Sequence, residues 1–278
     1  VPKTRLDLLI VARGLAESRA LAQRLVMAGQ VRVNGEIELK PSTTFPPEAV
    51  VEIDQGAPFV SRGGEKLQAA LQAFPVVVQG QVCADVGAST GGFTDCLLQH
   101  GAQRVYAIDV GKGILHWKLR QDRRVIVMEG CNARHIERLE EPISLATVDA
   151  SFISLKILLP VIHDWFAAAP NPPDIEPVWS DSAAVVALIK PQFEAGRSDV
   201  ARGQGVVRDP GIHRRVLVDV LSYANRAGYQ TQGLIRSPIV GPKGNAEFLA
   251  WLRLSPVNAI PIANSGIEDF VAALFSNM

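Results

Sequence analysis

The 278-residue chain holds 28 basic and 28 acidic side chains, with 47% hydrophobic and 20% charged residues, which excludes a disordered or fibrous polypeptide and a surface basic throughout. Its longest wholly apolar run, residues 183–189, is too short to cross a bilayer, and the start Val1-Pro2-Lys3-Thr4-Arg5 lacks a signal-peptide pattern, so a soluble cytoplasmic protein with no membrane partner is expected. Cys83, Cys96 and Cys131 lack CxxC spacing and the five histidines do not cluster, so neither a disulfide framework nor a metal site is expected.

The chain opens with two short helical patterns. Thr4 to Asp7 fits a capping box, and the helix it predicts runs through Leu8, Leu9 and Val11 to Gly14. A second helix starts at Ser18, stacks Leu21 on Leu25, turns Arg19 outward and ends before Gly29. Val31-Arg32-Val33, Asn34-Gly35 and then Ile37 and Leu39 predict a hairpin, because a type I′ turn needs positive φ at both central residues. Residues 1–43 hold seven basic groups against four acids, a weak local excess.

Two short helices followed by a small hairpin sheet resemble the S4 RNA-binding domain, on Arg5-Leu6-Asp7, Gly14 to Arg19, Ala28 to Gly35 and Lys40-Pro41. The resemblance implies that outward arginines meet RNA phosphates. The candidates are Lys3, Arg5, Arg13, Arg19, Arg24 and Arg32, with Arg62 beyond the module. The divisions expected are an S4-like domain over 1–57, a linker over 58–64, a catalytic domain over 65–254 and a tail over 255–278. The paired glycines of Ser61-Arg62-Gly63-Gly64 suit a hinge or a close backbone approach.

Past the linker, apolar strand patterns alternate with helical ones. Strands are predicted at 82–86, 104–110, 125–129, 145–149, 184–189, 233–239 and 248–254, with helices at 94–100, 153–166 and 213–227. This alternation implies an α/β fold: a doubly wound, seven-stranded sheet with helices on both faces. No long crossover separates the final two strands, so the last one is expected to run antiparallel.

The sharpest motif is Asp85-Val86-Gly87-Ala88-Ser89-Thr90-Gly91-Gly92-Phe93. Its spacing is G-x-x-x-G-G, not the G-x-G-x-x-G of a dinucleotide fold, and an acid precedes the first glycine. That acid suits the cationic amino group of a methionine moiety. Asp109, ending the second strand, is placed for ribose hydroxyls, and Asn132, after the third, for an adenine edge. Together they point to S-adenosylmethionine, with Asp85, Gly87, Ser89, Gly91, Gly92, Phe93, Asp109 and Asn132 as candidate contacts.

Larger motifs then carry a second resemblance. Phe59 to Leu67, Asp85 to Asp95, Asp149 to Leu155, Leu188 to Glu194, Gly205 to Pro210 and Gly241 to Phe248 look like the TlyA group of FtsJ-like RNA methyltransferases. Membership implies an S4 domain joined to a Rossmann-like class I methyltransferase domain, acting on a ribose 2′-hydroxyl of ribosomal RNA, a cytidine. The implied partner is ribosomal RNA or a ribosomal subunit, with a monomer expected. FtsJ-like enzymes use a Lys-Asp-Lys-Glu tetrad, which falls here on Lys66, Asp149, Lys190 and Glu247. Lys190 is the candidate base and Lys66 its partner, with Asp149 and Glu247 orienting the lysines. Relatives have often been labelled hemolysins, so a membrane-active protein and an inactive methyltransferase fold are the alternatives weighed. Two segments fall outside the motifs. Residues 170–183 form a Pro-bearing insertion. In the tail, Ile267, Phe270, Val271, Leu274 and Phe275 define one apolar helix face expected to dock on its own domain.

Overall fold

The computed structural model describes residues 2–54, 56–166, 183–255 and 264–276. The chain divides into two compact units, Val1–Pro58 and Phe59–Met278.

In the first unit, β1 (Thr4–Arg5) leads into α1 (Leu6–Ala12) and α2 (Arg19–Met27), then β2 (Val31–Val33), β3 (Glu36–Ile37), β4 (Thr44–Phe45) and β5 (Val51–Ile53). β1 pairs with β4, and β2 sits between β3 and β5. Asn34 and Gly35 have φ of 53° and 86°, the turn the Asn-Gly pair predicts. Ser18 caps α2 by accepting from the Leu21 amide. The core-facing residues of α2 are Ala22 and Val26, while Leu21 and Leu25 pack at its margin.

The capping box at Thr4 does not form. Arg5 is the N-cap of α1 and makes no side-chain cap bond, and the Asp7 amide donates to the Pro41 carbonyl. Thr4 is held in β1 opposite Phe45. The Asp7 carboxylate is instead fully buried and accepts from Arg5 at 3.0 and 3.1 Å, Arg19 at 2.9 Å and Gln23 at 2.8 Å. These donors, the Arg5 guanidinium foremost, hold its carboxyl well below the usual carboxylate range against the opposing effect of burial. The cluster ties α1 to α2.

The second unit runs α3 (Gly63–Ala73), β6 (Val82–Val86), α4 (Gly92–Gln99), β7 (Arg104–Asp109), α5 (Trp117–Arg120), β8 (Val125–Glu129), β9 (Leu145–Val148) and α6 (Leu155–Trp165). It continues with β10 (Ala184–Ile189), α7 (Pro191–Glu194), α8 (Arg197–Arg202), α9 (Pro210–Arg226), β11 (Tyr229–Arg236), β12 (Phe248–Leu254) and α10 (Asn264–Ser276). The strand order is β11-β12-β10-β9-β6-β7-β8. β12 is antiparallel to both neighbours and the other pairings are parallel.

Helices cover both faces, as the near-continuous apolar strands require. In β10, Val185, Ala187 and Ile189 point into a core shared with α6, α9 and α10. Ala184, Val186 and Leu188 point into the opposite core, with α3 and α4. Ile267 and Val271 of α10 are buried in the first of these.

Several boundaries differ from expectation, α9 among them, which begins at Pro210, three residues early; two differences bear on the site and the sheet. Residues 58–64 are not a spacer: Phe59 is buried and Gly63 and Gly64 open α3. Gly64 is required because a Cβ there would lie 2.2 Å from the Phe59 ring, so of the two expected uses this glycine serves the close approach. β11 begins at Tyr229, four residues early, and ends at Arg236. Its alternation is hidden by the polar Gln230 and Gln232 and broken by a register shift between Thr231 and Gly233. The insertion expected at 170–183 lies, apart from its last residue, outside the described residues.

Candidate active site

Parallel strands deliver their loops to one edge of the sheet, and there a cleft of about 240 Å³ opens. Its walls are Ser61, Arg62, Gly63 and Lys66 at the start of α3, the 87–93 loop and α4 start, Asp149 after β9, and Ile239, Val240 and Pro242 between β11 and β12. Among the expected cofactor contacts it gathers Gly87, Ser89, Gly92 and Phe93. Gly87 has φ of 85°, and a Cβ there would lie 2.7 Å from the Asp149 carbonyl oxygen. The missing side chain therefore lets the glycine loop lie against the loop that carries Asp149.

The four tetrad candidates form two ion pairs. Lys66 Nζ donates to Glu247 Oε2 at 2.6 Å. Lys190 Nζ lies 2.6 Å from Asp149 Oδ1 and donates to the Ser151 hydroxyl at 3.1 Å and the Asp149 carbonyl at 3.4 Å. Lys66, Lys190 and Glu247 are buried, and Gln192 donates to the second Glu247 oxygen at 3.5 Å. Lys66 and Asp149 line the cleft, each joined there by its ion-pair partner.

Other expected cofactor contacts take different places. Asp85 is fully buried beneath the loop, where it accepts from Thr94 Oγ1 at 2.6 Å and Thr147 Oγ1 at 3.1 Å. Burial pushes its carboxyl up to about 7, the two hydroxyls opposing; its bonds tie β6 to α4 and β9, and it is not among the residues that line the cleft. Gly91 likewise faces away: a Cβ there would lie 2.1 Å from the Leu119 side chain. Substitution at Gly91 would thus disturb packing at a φ of 97°, where a role in close ligand approach was expected. Asn132 caps the 133–135 turn by accepting from the Arg134 amide. Asp109 ends β7 and accepts from the Ser89 amide at 2.8 Å and the Gly111 amide at 2.7 Å, tying the glycine loop to the next strand's loop.

Glu129, unremarked as a tether in the sequence, accepts from the Gly113, Ile114 and Leu115 amides and from Arg120. The Arg120 guanidinium first, and these amides after it, hold its carboxyl down at about 2. Phe152 was also missed. It is 90% exposed, has φ of 62°, and its ring meets Phe193 at 4.9 Å between centroids. A large aromatic held outward in the left-handed region, three residues past Asp149, carries a strain that burial does not repay.

The expected RNA contacts are placed differently one from another. Lys3, Arg13, Arg19, Arg24, Arg32 and Arg62 are exposed and Arg5 is half-buried. Arg5 and Arg19 are oriented by Asp7. Arg13 donates to the Ala49 and Pro47 carbonyls, Arg32 donates to the Gly35 carbonyl, and Arg62 lines the cleft.

A glycine-loop cleft at the carboxyl edge of such a sheet, with two lysine–carboxylate pairs beside it, is the site of an FtsJ-like methyltransferase. The chain belongs to that family, whose pattern matches residues 59–254, and residues 4–51 match the S4 domain. It is 41% identical over 273 residues to the 16S/23S rRNA (cytidine-2′-O)-methyltransferase TlyA of Mycobacterium tuberculosis, covering 97% of this chain and 96% of that protein. It is also 41% identical to Hemolysin A of Brachyspira hyodysenteriae, over 88% of this chain and 98% of that one. A solved structure from Streptococcus thermophilus, named "Putative hemolysin", superposes with a TM-score of 0.67 at 43% identity, over 99% of this chain and 96% of the other. Among the described residues no helix is long and apolar enough to cross a membrane.

Proposed function

We propose that this protein is an S-adenosylmethionine-dependent methyltransferase that modifies a ribose 2′-hydroxyl of ribosomal RNA, on a cytidine, in the cytoplasm. The observation that carries the reading is the pairing of Lys66 with Glu247 and of Lys190 with Asp149 beside the glycine-loop cleft. The cleft's donor set suits the zwitterionic methionine end of the cofactor. The first-turn amides of α4, which no described side chain caps, and the Arg62 guanidinium suit its carboxylate, and Asp149 suits its ammonium group. Asp109, whose oxygens keep lone pairs beyond their two amide bonds, suits ribose hydroxyls, and the loop at Asn132 suits the adenine.

The bound cofactor supplies an electrophilic methyl group on a sulfonium. This chain's part is to bring a ribose hydroxyl into line and remove its proton. Lys190 Nζ accepts that proton in its neutral, deprotonated form, the only form of an amine with a free lone pair. Asp149 and Ser151 fix the amine's direction from two sides. The Lys66–Glu247 pair stands at the other flank, where the Lys66 ammonium favours negative charge developing on the ribose oxygen. Phe152 offers a free aromatic face on which an unstacked base can lie, worth about 1–3 kcal/mol per stacked base. The first unit, with its outward arginines, holds the RNA.

This division of labour has a direct test. Deleting residues 1–57 should leave calorimetric affinity for S-adenosylmethionine within a few-fold and weaken binding to ribosomal RNA by an order of magnitude or more, since each lost phosphate contact costs affinity at fixed salt. Undiminished RNA affinity of the truncated chain would contradict the assignment of RNA delivery to the first unit.

A further inference from the structure

Three contacts join the segment after β9 to the segment after β10. Lys190 reaches Asp149 and Ser151. Phe193 packs on Phe152. At the far end, Glu194 accepts from the Ser154 hydroxyl at 2.6 Å and from the Leu155 amide at 2.7 Å. The third contact is the unexplained one. Ser154 already caps α6 through the Lys156 amide at 3.2 Å, so the helix has a cap without Glu194. The carboxylate comes from another strand's loop, 40 and 39 residues away, and both of its oxygens are spent on the first turn of α6. Burial pushes its carboxyl up, with the Ser154 hydroxyl and the Leu155 amide opposing, so the protein retains a carboxylate where burial disfavours its charge.

The placement explains the retention. Lys190 is the residue before α7 and Glu194 is the last residue of α7, so the two side chains grip the same partner segment at opposite ends of a single helical turn. Between those ends the turn is held by the Phe193–Phe152 contact and by the Gln192 amide on Glu247 at 3.5 Å, and the two short Glu194 bonds fasten its far end to the start of α6.

We propose that Glu194 is a positioning residue for methyl transfer: its bond to the start of α6 fixes the 190–194 turn, and through it the direction of the Lys190 amine and the outward setting of Phe152. The proposal rests on the reading of Lys190 as the base, so its test has one arm that does not depend on activity.

In the ligand-free full-length protein, Glu194→Gln should raise amide hydrogen exchange in residues 149–155 and 190–195 while leaving β6 and α4 unaltered. In single-turnover assays with S-adenosylmethionine and ribosomal RNA, the same variant should lose roughly tenfold to a hundredfold in rate, the scale of a misplaced reacting group. Its Michaelis constants for RNA and cofactor should stay within about threefold of the parent. Ser154→Ala should lower turnover in the same direction and Ser154→Thr, which keeps the hydroxyl, should retain it. A helix-capping role alone would lower the melting temperature and leave turnover within twofold, and that result overturns the proposal. So does exchange that is unaltered, or raised throughout the sheet. If the parent itself transfers no methyl, the proposed function falls, and the exchange arm still decides whether Glu194 fixes the turn.

Discussion

Lys190→Ala is expected to bind RNA and cofactor nearly as the parent does and to transfer methyl in a single turnover about 10²–10⁴ times more slowly, the usual contribution of a positioned general base. The side chain is almost fully enclosed, and its amine is directed by the Asp149 carboxylate at 2.6 Å and the Ser151 hydroxyl at 3.1 Å. An amine recruited only to hold phosphate would be expected at the exposed rim, as Arg62 is, and its loss would raise the Michaelis constant while leaving the bound complex competent. Loss of the base does the reverse: binding persists and the chemical step slows. Single-turnover kinetics at saturating RNA and cofactor separate the two. A rate within tenfold of the parent would make Lys190 a binding residue and move the proton's destination elsewhere in the cleft.

The second large effect concerns stability. Glu247 is 2% exposed and Lys66 8%, so Glu247→Ala leaves an ammonium group in a poorly solvated place with its 2.6 Å partner gone. Breaking a buried pair from one side costs about 3–5 kcal/mol, whereas replacing both members with apolar residues of similar size is often close to neutral. Urea unfolding should therefore show Glu247→Ala destabilised by that amount and Lys66→Met/Glu247→Leu much nearer the parent, though without activity. A Glu247→Ala loss below about 1 kcal/mol would mean that solvent reaches Lys66 and that the pair is not sealed. The contact spans 181 residues, so its strength also measures how firmly the start of α3 is fastened to the segment that leads into β12.

What the sequence revealed follows from how local each signal is. Buried parallel strands announce themselves as apolar runs, and the Asn34-Gly35 turn announces its hairpin, because both depend on neighbours along the chain. Asp7 misled because its carboxylate was read against the nearest amide, whereas Arg19 and Gln23, a helix away, claim it. Gly63 and Gly64 left a hinge and a close approach both open, because the same residue permits either, and at Gly64 the position of the Phe59 ring favours the close approach. The tetrad residues were recognisable by type and motif, but their partition into Lys66–Glu247 and Lys190–Asp149 depends on strands that meet only in the folded sheet. Asp85 shows the limit most plainly. An acid before a glycine loop can face the ligand or lie buried between strand and helix, and Asp85 takes the buried place beside Thr94 and Thr147, nine residues onward and on a neighbouring strand.

Ribose methylation of ribosomal RNA by this chain leaves a mark that can be read directly in cells. The most direct measurement is site-by-site mapping of 2′-O-methylation in ribosomal RNA from cells with the protein, without it, and with Lys190→Ala in its place. The account predicts at least one cytidine that is methylated only when the parent protein is present and unmodified with the variant. Identical methylation maps in all three would contradict it.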